Sequence, residues 1–140
     1  MARVVNISEA ASIAMHGMIM IAQTSAVTNV NTIAEQTKSS RHHVAKIMQR
    51  LVKDDFIVSQ RGPKGGFALK KPANEISFLD IFESIEGKID IISCPVGKET
   101  CIFSLCFLQN VTHKMSIEFH NYMKTTLLSE YALPENKIVS

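Results

Sequence analysis

The chain has 140 residues, 46% of them hydrophobic and 20% charged, which excludes a disordered protein and leaves room for one domain with an appended helix. Its net charge of +2 hides a division: residues 1 to 72 carry ten Lys/Arg against four Asp/Glu, or +6, and residues 73 to 140 five against nine, or −4. Such a split separates a half suited to nucleic acid from a half with another task. The most apolar stretch, Ala10 to Ala22, is too short to span a bilayer and carries His16 and Gly17. The first residues lack the charged start, apolar block and small-residue cleavage site of a secretory signal, so a cytoplasmic protein is expected. In that reducing setting three cysteines, an odd number, argue against structural disulfides.

Met1 to Asn6 reads as a frayed lead-in. Ser8 is a suitable N-cap with Glu9 behind it, and the pattern predicts a helix to about Gln23 that packs Ala11, Ala14, Met15, Met18, Ile19 and Ala22 inward. His16 falls inside it, where an ordinary partly buried or surface histidine is the plainest reading. Thr24 to Val30 reads as a polar connection. Thr32 to Thr37 fits one small helix, and Lys38-Ser39-Ser40 supplies hydroxyls to cap a second that starts near Ser40. Val44, Ile47, Met48 and Leu51 then share one face, while His42, His43, Lys46, Gln49, Arg50 and Lys53 share the other.

Two short extended runs, Phe56 to Arg61 and Phe67 to Leu69, flank Gly62-Pro63-Lys64-Gly65-Gly66 and predict a hairpin. Two helices joined by a turn and followed by a hairpin make a winged helix-turn-helix, expected over residues 1 to 72. Its partner would be double-stranded operator DNA. Contacts are expected from Ser40, Arg41, His42, His43, Lys46 and Arg50 on the second helix, and from Arg61 and Lys64 on the wing. The competing reading is a winged helix used only for protein interaction, its basic face merely solvated.

Residues 73 to 140 form the second region. Ser77 and Asp80 make a capping box for a helix over Ser77 to Glu86 that stops at Gly87, and Ile89 to Ser93 is a brief apolar run. Beyond the cysteines, Leu105, Leu108, Thr112, Met115, Phe119, Tyr122 and Thr126 form a heptad seam, which predicts one long helix from about Phe103 to Glu130. A protruding apolar stripe of that length suits burial against a second copy, hence a homodimer. Tyr131 to Ser140 is expected to be a loose tail. The fold class is therefore mainly α with a small β-hairpin wing, a winged helix-turn-helix plus a long C-terminal dimerisation helix.

Cys94, Cys101 and Cys106, separated by six and then four residues, hold every thiol in the chain. Soft thiolates on a turn-rich loop suit an iron-sulfur cluster, zinc or copper, although buried inert cysteines or a thiol-only switch use the same residues. A four-ligand site needs one donor more. No nucleophile-base set or phosphate-binding glycine motif points to an enzyme or a small-molecule substrate.

Taken together these residues resemble the IscR/NsrR family of winged-helix regulators, which sense iron-sulfur status, nitric oxide or redox state. The resemblance covers nearly the whole chain. It is most specific from Val58 to Leu69, similar to the family's wing motif of Arg-Gly, a short spacer and Gly-Gly followed by an aromatic. It implies a cluster, of two-iron or four-iron type, held by Cys94, Cys101 and Cys106. The spacing of six and four departs from the family's more even gaps, and Gln109 stands where one member has a histidine ligand. Other members take a fourth ligand from the first helix. By that resemblance His16 is the best candidate, with Glu9 and His113 behind it. The expected function is a DNA-binding transcription regulator, a repressor, switched by that cluster; the alternative is a cluster-free relative controlled by thiol oxidation, zinc or a partner protein.

Overall fold

A computed structural model describes residues 1–91 and 101–139. Helix α1, Glu9–Ala22, is capped by the Ser8 side chain, which accepts from the Ala11 N–H, and it runs through the centre of the core. Ile13, Ala14, Met18 and Ile21 are buried there, so the inward face is rotated from the expected one: Ile13, Gly17 and Ile21 are covered, while Met15, Ile19 and Ala22 sit half-exposed at its edge. Gly17 lets α1 approach its neighbours closely; a Cβ there would lie 2.9 Å from Met48 Cε and 3.5 Å from Ile33 Cγ2.

Helix α2, Val30–Thr37, is capped by Asn29 and ends on Lys38 in the left-handed conformation (φ 54°), which turns the chain into helix α3, Arg41–Lys53. Helix α3 is capped by Ser40 and buries Val44, Ile47, Met48 and Leu51, the expected face. Strands β1, Ile57–Gln60, and β2, Gly66–Leu69, pair antiparallel with Ile57 opposite Leu69 and Gln60 opposite Gly66. The segment expected to be a plain connection does more. Thr28 adds a one-residue third strand beside β2, exchanging both backbone hydrogen bonds with Phe67 at 2.8 and 2.9 Å, so the wing is tied to the entrance of α2.

A single-turn 3₁₀ helix, Ala73–Glu75, leads to α4, Phe78–Glu86, where the capping box of Ser77 and Asp80 forms and Gly87 caps the end. Helix α5 is Val111–Thr125, half the length expected for the C-terminal helix. Its start is fixed by Gln109 and Asn110, whose positive φ values of 47° and 62° interrupt a helical path from Phe103, leaving Leu105 and Leu108 outside it. Its end is fixed at Thr126, where the chain becomes extended. There the Thr126 carbonyl accepts from Phe78 N–H at 3.0 Å, and Leu128 N–H donates to Ile76 O at 2.8 Å.

Of the heptad seam, Phe119 packs edge-to-face on Phe82 of α4, with ring centroids 5.5 Å apart, while Tyr122 stays exposed; Met123, beside the seam, is buried in the common core. The tail is not loose either: Gln23 Nε2 donates to the carbonyls of Leu133 and Asn136, at 3.1 and 2.7 Å. One hydrophobic cluster runs from Ile13 to Leu128, so the winged helix and the segment after residue 72 share a core.

The wing's position depends on Gly66, because a Cβ there would fall 2.6 Å from the Thr28 carbonyl oxygen, a backbone atom that cannot swing aside. Gly66→Ala is expected to cost about 1–3 kcal/mol as overpacking, seen as a lower urea midpoint with an unchanged slope. A midpoint equal to that of the parent chain would show that the Thr28 bridge does not hold the hairpin.

Candidate nucleic-acid interface and cysteine site

Helix α3 presents its outer face because its inner one is fully committed to the core. Arg41, His42, Lys46 and Gln49 are exposed along it, and Arg61 and Lys64 are exposed at the wing tip. Arg41 and Arg61 line one open groove together with Asn29, Asn31, Gln60, Gly62, Pro63, Gly65 and Gly66. Two guanidinium groups, side-chain amides and a backbone without bulk are what a phosphodiester chain requires of a protein surface. Asn29, Asn31 and Gln60 were not anticipated from sequence. The cap pattern of Asn29 three residues before Thr32 was the available signal, since the start of α2 then has to face the wing.

Three other expected DNA residues have different partners. The Ser40 hydroxyl accepts the His43 N–H at 3.1 Å and serves as the cap. His43 is half-buried, with Nδ1 3.9 Å from a Glu9 carboxylate oxygen on α1. Arg50 turns toward α4: its Nε–H donates to the Ser84 carbonyl at 3.0 Å and lies 3.5 Å from Asp54 Oδ2, an oxygen that also accepts the Ser84 hydroxyl. Arg41 and Lys46 in the first part of the helix, with Arg61 and Lys64 on the wing, are exposed cations without an ion-pair partner among the described residues. Electrostatics around the hairpin base differ, since Lys70 Nζ sits 2.8 Å from Asp55 and holds that carboxyl below its usual range.

Of the three cysteines, Cys94 lies outside the described residues. Cys101 and Cys106 are free and exposed, in the irregular stretch just before α5. Backbone N–H groups of Leu108, Asn110 and Gln109 surround the Cys106 sulfur and hold its thiol below the ordinary range, favouring the thiolate that ligates metals and reacts with oxidants. Four large apolar side chains accompany these thiols in the open: Ile102, Phe103, Leu105 and Phe107 are 86, 70, 84 and 80% exposed. Among the described residues no three His, Cys, Asp or Glu side chains converge as a metal would require.

His16 is exposed and donates Nδ1–H to the Ser12 carbonyl at 2.7 Å, a bond that leaves Nε2 as the acceptor or ligating atom. It lines a recess with Gln36, Thr37 and Asn136 to Val139, and neither described cysteine borders that recess. Glu9 faces His43 instead of the thiols. His113, on the first turn of α5, has its Nδ1 buried with no hydrogen-bond partner among the described residues, as does the neighbouring Thr112 hydroxyl. Among the described residues no helix is long and apolar enough to cross a membrane.

Comparison with known proteins agrees with this architecture. The family model Rrf2, described as iron-dependent transcriptional regulator, matches residues 7–132. The HTH-type transcriptional regulator NsrR of Oceanobacillus iheyensis is 28% identical over 116 residues, covering 81% of this chain and 79% of that protein. Two solved structures share the fold. CymR, the global cysteine regulator of B. subtilis, superposes with a TM-score of 0.73 at 20% identity, over 92% of this chain and 97% of that one. IscR of T. potens gives 0.72 at 18% identity, over 98% and 95%. These relatives are regulators and not enzymes. With a winged helix-turn-helix, a C-terminal helix and a family match over nearly its full length, the chain belongs to the Rrf2 family of transcriptional regulators.

Proposed function

We propose that this Rrf2-family regulator is a homodimeric repressor acting in the cytoplasm, whose hold on operator DNA is set by an iron-sulfur cluster at Cys94, Cys101 and Cys106. The observation that carries the DNA reading is the groove in which Arg41 of the recognition helix faces Arg61 of the wing. Arg41, His42 and Lys46 enter the major groove, while Arg61 and Lys64 take the flanking backbone. The exposed apolar group Ile102, Phe103, Leu105 and Phe107 supports pairing with a second copy, since four such side chains in water beside one another are costly. Two copies would then meet half-sites spaced by about 34–36 Å or multiples of it.

The donor chemistry supports the cluster: two exposed thiols, one with its thiolate favoured by backbone N–H groups, and a family described as iron-dependent. When bound, the cluster supplies a centre sensitive to oxidants, nitric oxide and iron supply. His16, with Nε2 free, is the first candidate for a further donor, and His113, whose Nδ1 has no partner among the described residues, stands behind it. A thiol-based switch is the second reading. The open position of Cys101 and Cys106 and the lowered pKa of Cys106 favour it equally.

Arg61→Ala is expected to weaken binding across operator sequences alike and to reduce the slope of log affinity against log salt by about 1, as the loss of one phosphate contact does. Unchanged affinity and slope would remove the wing from the interface. Protein purified without oxygen should be coloured and carry iron and sulfide, and replacing Cys94, Cys101 and Cys106 by Ser should abolish both. Colourless anaerobic protein whose DNA affinity still responds to an oxidant would establish the thiol switch instead. In sedimentation the chain should run as a dimer, and Phe103→Ser with Leu105→Ser should shift it toward monomer; a double variant as dimeric as the parent would place the dimer contact elsewhere.

A further inference from the structure

The last turn of α4 holds three other parts of the chain at once. Glu83 accepts the Ile89 N–H at 2.9 Å, latching the segment that leaves α4 toward the cysteines. Ser84, the next residue and a buried one, offers its carbonyl to Arg50 Nε at 3.0 Å and its hydroxyl to Asp54, so both of its polar atoms are spent on the end of the recognition helix. Glu86 accepts the Ser8 hydroxyl at the start of α1, and the adjoining Glu9 lies 3.9 Å from His43, near the other end of the recognition helix. Five polar links on this turn and the start of α1 thus reach the exit toward the cysteines and both ends of α3. The apolar core to which Leu51, Leu79 and Ile81 belong carries no such directionality.

We propose that this turn is the joint through which the state of the cysteines reaches the recognition helix, and that Arg50, Asp54 and Ser84 are positioning residues of that joint and not DNA contacts. The proposal rests on the cysteine-switched reading above. Its physical basis is directional: an Nε–H aimed at one carbonyl and a hydroxyl aimed at one carboxylate fix the angle of α3 against α4, which sliding methyl groups do not. A shift of the Ile89 segment pulls on Glu83, turns Ser84, and moves Arg50 with the helix that carries it. The guanidinium, with only a little over half of its side chain exposed, is held for this work on the face turned away from the wing groove, which Arg50 does not line.

The test uses the full-length dimer and a duplex selected from random sequence by the parent protein. Affinity is measured anaerobically with the cysteine centre loaded, and again after chelation or oxidation; the ratio of the two constants is the coupling. Ser84→Ala, which alters no DNA-facing residue, and Arg50→Gln, which removes a charge from an exposed position, should each compress that ratio by roughly fivefold or more. Both should leave the salt slope at the parent value, whereas loss of a phosphate contact at Arg50 would lower it by about 1. Melting and circular dichroism confirm that each variant is folded, and Arg50→Gln serves if Ser84→Ala is not. A parent-like ratio in folded variants, or a reduced slope in Arg50→Gln, overturns the joint while leaving the cysteine reading intact. A parent protein whose affinity is the same in both states overturns the cysteine reading itself, and the transmission with it.

Discussion

The seating of the recognition helix on α1 is the constraint on which every other feature depends. Val44, Ile47, Met48 and Leu51 are buried on one side of α3, and each contributes on the order of 1.5–3 kcal/mol by leaving water. Because that side is used up, the cationic side has nowhere to go but outward. Gly17 permits the close approach, since the Met48 thioether end occupies the space where a side chain would stand. The same α1 meets α4 and the tail, so one central helix sets the relative placement of α3, α4 and the end of the chain.

Polar links then refine what apolar burial leaves free. Hydrophobic contacts decide which faces meet but tolerate small rotations, whereas the Thr28 rung on β2 and the Arg50 bond to Ser84 each fix an orientation. The wing is consequently tied, through the Thr28 bridge, to backbone that precedes α2, and its basic tip borders the same groove as Arg41. Charge follows the same division of labour: the cations of α3 and the hairpin face outward, Glu83 and Glu86 of α4 accept a backbone N–H and a hydroxyl, and Asp54 at the end of α3 takes the Arg50 guanidinium.

Much of this was legible in the sequence wherever local chemistry decides the outcome. The caps at Ser8, Ser40 and Ser77 and the stop at Gly87 need only neighbouring residues, and they stand where spacing put them. Periodicity gave the buried face of α3 for the same reason. What failed was set by tertiary contacts. The seam after residue 103 has helical spacing, but Gln109 and Asn110 adopt positive φ and Thr126 pairs with the start of α4, so α5 is short. In α1, an apolar stretch wide enough to cover more than one face, spacing could not say which residues would be covered. For the site, basic residue types pointed to the helix and wing as a region, where Arg41, Lys46, Arg61 and Lys64 are exposed, yet nothing local foretells that Arg50 also bonds a carbonyl 34 positions away.

The anchoring of the chain's end by Gln23 has a consequence for how the molecule is observed. Its amide grips two carbonyls, of Leu133 and Asn136, from the C-cap of α1, so the final residues travel with that helix. A small fluorophore attached at Ile138, beside the recess bordered by the end of α2, therefore rides on the core rather than on a freely diffusing string. Its emission would register tilting of α1 against α2 directly, without any label on a thiol or on a surface that touches nucleic acid.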